Sequence, residues 1–150
     1  MSVETIDKAE EQIREKQKAV DYDIKEFTVE IMVLKYLKGG ENDENEIYIP
    51  DYQRAFVWKQ DQQSRLIESL ILGLPIPYIF TAEMPDGRLE IVDGSQRIRT
   101  LAAFINNGLI LKDLDILKNL EGYTFDNLSI FSYFCRCLFG LKRRTQLSSK

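Results

Sequence analysis

The stretch from Glu90 to Leu101, E-I-V-D-G-S-Q-R-I-R-T-L, decides how this chain reads. Leu89, Ile91 and Val92 have the composition of the end of a buried strand, and Asp93-Gly94 interrupts it. Ile98, Leu101, Ala102 and Ile105 then recur at helical spacing. Asp93, Ser95, Gln96 and Arg97 are thereby crowded into one strand-to-helix turn. A helix start leaves backbone N–H groups without intrahelical acceptors, and its dipole favours an anion there. Gly94 permits unusual dihedrals and a close approach to the backbone. Arg97 can fork onto a phosphate or a carboxylate. The same residues also suit an ordinary Asp-Gly turn with Ser95 capping the helix. Taken alone, the stretch leaves both readings open.

The segments just upstream deliver the chain to this turn. Tyr78 to Glu83 and Arg88 to Val92 read as two strands of a hairpin joined at Pro85-Asp86-Gly87. Before them, Leu74-Pro75-Ile76-Pro77 is extended, because proline disfavours helix at its own position and the one before. A helix from about Asp61 to Leu72 places Leu66, Ile67, Leu70 and Ile71 on one face, ends at Gly73, and carries Glu68 as a surface carboxylate. Further back, I-P-D-Y-Q-R-A-F-V-W, from Ile49 to Trp58, combines a rigid proline with Tyr52, Gln53, Arg54 and large aromatics. Phe56 and Trp58 suit a core better than base stacking.

Toward the N-terminus, a strand is expected around Asp23–Phe27. Thr28 caps a helix from Val29 to Leu37 that turns Ile31 and Leu34 inward. Val3 to Val20 reads as a charged helix with a thin seam of Ile6, Ile13 and Val20. Downstream, the helix after Arg97 ends at Asn107-Gly108. Leu109 to Leu120 is a loop with a short strand or helix. The end of the chain is aromatic and apolar from Ile130 to Leu141; the basic run Lys142-Arg143-Arg144 after it is expected as a solvated tail rather than a nucleic-acid contact.

The chain has 150 residues, 44% hydrophobic and 29% charged, the composition of a soluble globular domain. No apolar run approaches the roughly 20 residues that span a bilayer. The N-terminus lacks an apolar signal region, so a cytoplasmic protein is expected, with no membrane contact. A net charge of −4 argues against binding duplex DNA over a broad charged surface. Cys135 and Cys137 are too close for an ordinary structural disulfide, and two thiols do not complete a zinc site. The chain contains no histidine. Ser-His-Asp and Cys-His catalysis, and any histidine-dependent nuclease, therefore cannot run on this chain alone. Its chemistry must use carboxylates, arginines, amides and hydroxyls, with a hard cation such as Mg²⁺ as an option.

Four motifs stand in order: I-P-D-Y-Q-R-A-F-V-W, L-I-E-S-L-I-L-G-L-P-I-P (Leu66 to Pro77), I-V-D-G-S-Q-R-I-R-T-L and L-E-G-Y-T-F-D-N-L (Leu120 to Leu128). Together they resemble the N-terminal domain of the GmrS/GmrD-type restriction proteins, a branch of the ParB/sulfiredoxin-like fold. The family signature D-G-Q-Q-R has Ser95 at its third position here; a hydroxyl can still donate to a phosphate oxygen. The resemblance implies an α+β fold with a small mixed sheet and flanking helices. It implies a domain over residues 22–128, preceded by the charged helix of residues 1–21 and followed by a divergent or truncated tail, 129–150. It further implies binding and Mg²⁺-dependent hydrolysis of a nucleoside triphosphate in an anti-phage system that restricts modified DNA. DNA would be reached through a partner or a nuclease domain outside this chain, and a homo-oligomer is allowed.

Carried onto this sequence, Asp93, Gly94, Ser95, Gln96 and Arg97 form the phosphate site, and Tyr52, Gln53 and Arg54 line the opposite wall. Arg97 and Arg54 are the candidates for phosphate stabilisation. Asp93 holds Mg²⁺ or orients water, and Gln96 orients water or donates to a phosphate. Thr100 is a ligand hydroxyl or, preferably, a core-facing neighbour. Arg99, about 200° from Arg97 around the helix, is a solvated charge or a partner contact. The rival reading is a non-enzymatic, ParB-like nucleic-acid-binding module whose arginines grip DNA phosphates.

Overall fold

The computed structural model describes residues 3–18, 21–37, 45–53, 55–128 and 138–145. Five strands form one mixed sheet in the order β1-β5-β3-β4-β2. They are β1 (Asp21–Thr28), β2 (Ile47–Tyr48), β3 (Ile79–Glu83), β4 (Leu89–Asp93) and β5 (Leu138–Thr145). β3 and β4 are the expected hairpin, antiparallel, with Gly87 at a φ of 84° in its turn. β5 runs antiparallel to β1 and parallel to β3, and β2 runs parallel to β4. The basic run 142–144, expected as a solvated tail, thus belongs to an inner strand. Residues 142–144 pair with 22–24 on one side, and the whole of β5 lies beyond residue 128.

Helices α1 (Val3–Lys18), α2 (Val29–Leu37), α3 (Gln60–Ile71) and α4 (Ser95–Ile105) complete the α+β architecture. The core lies where α2, α3 and α4 meet the sheet: Met32, Ile67, Ile79, Ile91, Ile98, Leu101 and Phe104 are fully buried. Phe104 meets Phe125 edge to face at 5.5 Å.

Local chemistry explains the ends. The Thr28 hydroxyl accepts from the Ile31 N–H, capping α2. α3 stops in a Schellman turn: Leu74 N–H bonds Ser69 O, Gly73 N–H bonds Leu70 O, and Gly73 sits at a φ of 70°.

Two expectations are corrected. α2 buries Val29, Met32 and Val33, whereas Ile31 and Leu34 are exposed. This helix is apolar nearly all round, so periodicity alone could not choose the face that docks. Glu68 is 4% exposed, not a surface carboxylate, because the segment after α4 folds back over it.

Candidate functional site

The left-handed turn before α4 builds the site. Gly94 is the N-cap residue at a φ of 104°, and no side chain caps the helix. A Cβ at this position would sit 2.9 Å from Ile79 Cγ1 and 3.2 Å from the Arg97 guanidinium. Glycine is therefore required twice, by dihedral and by space. The first N–H groups of α4 have no acceptor inside the helix. The residues that bear them line a cleft of about 360 Å³, formed by Asp93 to Arg97 together with Trp58, Leu66, Ile76 and Pro77.

Arg97 is 9% exposed. Its Nη1 donates to Pro77 O at 2.8 Å and its Nη2 to Asp93 Oδ2 at 2.9 Å. Two of the five guanidinium donors are thus accounted for, and the group is held in a fixed plane at the cleft wall. The Asp93 side chain is 68% exposed and faces solvent beside it. The cation is nearly buried, whereas its counter-charge is largely exposed.

Gln96 has a different task. Its Oε1 accepts from the Val57 and Trp58 N–H groups at 3.0 and 3.2 Å, and its Nε2 donates to Ala55 O at 3.2 Å. One side chain satisfies three backbone groups of the loop before α3. Thr100 is fully buried and donates to Gln96 O at 2.8 Å, the core-facing alternative for this residue. Ser95 lines the cleft, half-buried.

The upstream motif is fastened to the same strand. Gln53 Nε2 donates to Ile91 O and to Val92 O, and Gln53 N–H closes a turn onto Pro50 O at 3.0 Å. The Tyr52 and Tyr48 hydroxyls both donate to the Glu90 carboxylate. The Glu90 bond raises the Tyr52 phenol above its ordinary value, and burial followed by the same bond raises Tyr48, so both remain donors. Arg88 stacks over the Tyr48 ring at 4.6 Å. Tyr52 and Gln53 are turned onto β4 and are not among the cleft-lining residues. Arg54 lies outside the described residues; its neighbours Gln53 and Ala55 are tied to β4 and to Gln96. Trp58, half-buried, both packs on the core and faces the cleft.

A family model for the GmrSD restriction endonuclease, N-terminal domain, matches residues 33–147. The chain belongs to this family. No curated protein and no solved structure matches it. The GmrSD N-terminal family places the chain in a restriction-related, anti-phage setting.

In this GmrSD-type domain, one polar cluster escaped sequence reasoning. Gln60, Ser64 and Glu68 follow one another at intervals of four on α3, and all three hold the backbone after α4. Gln60 Nε2 donates to Ile110 O at 2.8 Å, and Ser64 Oγ accepts from Lys112 N–H at 3.0 Å. Glu68 accepts from the N–H groups of Asp115, Ile116 and Leu117 at 3.0, 2.7 and 2.6 Å. Burial pushes the Glu68 pKa up, but the three backbone donors outweigh it and leave the carboxyl below its ordinary value. The signal was present as a polar stripe beside the apolar face of α3. Nothing in the sequence said that a loop would cover it.

Proposed function

We propose that the cleft binds a nucleoside triphosphate and, with Mg²⁺, hydrolyses its terminal anhydride bond. The observation that carries this reading is that the uncapped start of α4 lines the cleft beside a nearly buried Arg97. Phosphate oxygens would accept from the N–H groups of the first turn and from the remaining Arg97 donors. The apolar wall of Trp58, Ile76 and Pro77 suits the base. Gln96 would contribute through its backbone, because its amide is engaged by the loop at 55–58.

Among the described residues, no group of three acidic, cysteine or histidine side chains is poised to hold a metal. Mg²⁺ commonly uses one or two carboxylates together with substrate phosphates and water. Asp93 beside a phosphate site fits that pattern. The cation would neutralise charge on the phosphates, and Asp93 would hold it or orient the attacking water. We further propose that the sheet is of the ParB/sulfiredoxin-like type and that the domain acts in the cytoplasm, reaching DNA through a partner or another domain.

Calorimetry with nucleoside triphosphates and Mg²⁺ tests binding, and phosphate release tests turnover. Arg97→Ala is expected to abolish both. Arg97→Lys, which keeps the charge but loses the fork, is expected to weaken binding about tenfold or more. Wild-type turnover by a folded Arg97→Ala chain would overturn the proposal.

A further inference from the structure

Strand β1 closes one side of the sheet. β5 lies on its inner edge and, among the described residues, no strand lies on its outer edge. It runs for eight residues, whereas open edges are usually kept short. Tyr22 and Ile24 are about half exposed on it, at 53% and 47%. Its charges, Asp21, Asp23, Lys25 and Glu26, guard against indiscriminate pairing. They also select one specific pairing.

When a two-fold axis perpendicular to the sheet extends it through an edge strand, directly opposed residues share a face. One residue therefore sits on the axis and meets its own copy. With Asp23 on the axis, two aspartates oppose each other; with Lys25, two lysines do. Like charges directly opposed are destabilising. With Ile24 on the axis, Asp23 of each copy opposes Lys25 of the other, so the favourable pair is made twice. Ile24 then meets Ile24, and Tyr22 opposes Glu26, covering the apolar side chains that the single chain leaves exposed.

We propose that β1 pairs antiparallel with β1 of a second copy of this chain, about a two-fold axis at Ile24, joining the two sheets into one. The surface is the outer edge of β1, and the occupant is another molecule of the same protein. The pairing is independent of nucleotide and of the cleft.

Sedimentation equilibrium over a range of chain concentrations tests it, with circular dichroism as the folding control. Wild type is expected to dimerise reversibly. Lys25→Asp opposes aspartates, and Asp23→Lys opposes lysines; each is expected to weaken the dimer about tenfold or more. Mixed one to one, the two variants again oppose lysine with aspartate at both positions, and the dimer is expected to return. A wild type that stays monomeric, single variants that dimerise like wild type, or a mixture that does not recover would each overturn the proposal. Hydrogen exchange on wild type gives a readout without substitution. Protection of alternate β1 amides, those facing outward, is expected to fall on dilution, and concentration-independent exchange there would also overturn it.

Discussion

Glu68 and Asp93 are the same functional group in opposite circumstances. Glu68 is 4% exposed and accepts three backbone N–H bonds from residues 115–117. Asp93 has a side chain 68% exposed and pairs with one arginine at the mouth of a cleft. The first carboxylate is the closing piece of a structure. The second stands beside helix N–H groups that no side chain caps. What separates scaffold from candidate site in this domain is whether hydrogen-bonding capacity is already used, rather than polarity or charge.

The contrast is broken most strongly at Glu68. Glu68→Ala leaves three buried backbone donors without an acceptor and is expected to cost about 3–5 kcal/mol in urea unfolding. Ligand affinity of the remaining folded chain should hardly change. The Glu68 carboxyl has a folded pKa below the ordinary glutamate value of 4.5. Its stabilisation is therefore complete above that value and is lost as pH falls through it toward the lower folded value. Glu68→Gln should flatten this acid limb of the stability curve, while wild type shows it.

Gly94→Ala attacks the other region through its backbone. The new Cβ meets Ile79 and Arg97 at a φ of 104°, so about 2 kcal/mol of destabilisation is expected by thermal unfolding, together with loss of the cleft geometry. Gln96→Ala frees three backbone groups of the 55–58 loop. It should cost about 1 kcal/mol and speed hydrogen exchange at the Val57 and Trp58 amides. An unchanged exchange rate there would show that the loop holds itself. The smallest effect is expected for Ser95→Gln, about 0.5 kcal/mol or less in stability, because the side chain is half-buried and caps nothing. Nucleotide titration then measures what the amide of the family signature adds.

The turn from Asp93 to Arg97 was legible in the sequence because its parts are local. Glycine at a left-handed position, a strand ending and a helix beginning are all written within a dozen residues. The same locality made the β3–β4 hairpin, the Thr28 cap and the Gly73 stop readable. The sequence by itself also determined that no imidazole chemistry occurs in this chain. Only the tertiary structure decided that Arg97 reaches Pro77 O, that Gln96 clamps a loop 38–41 residues away, and that Glu68 is buried. It alone chose the docked face of α2 and inserted β5 between β1 and β3. Each of these depends on which distant backbone finally lies against a side chain. Local periodicity carries no information about that, because burial and hydrogen-bond satisfaction belong to the packed chain as a whole.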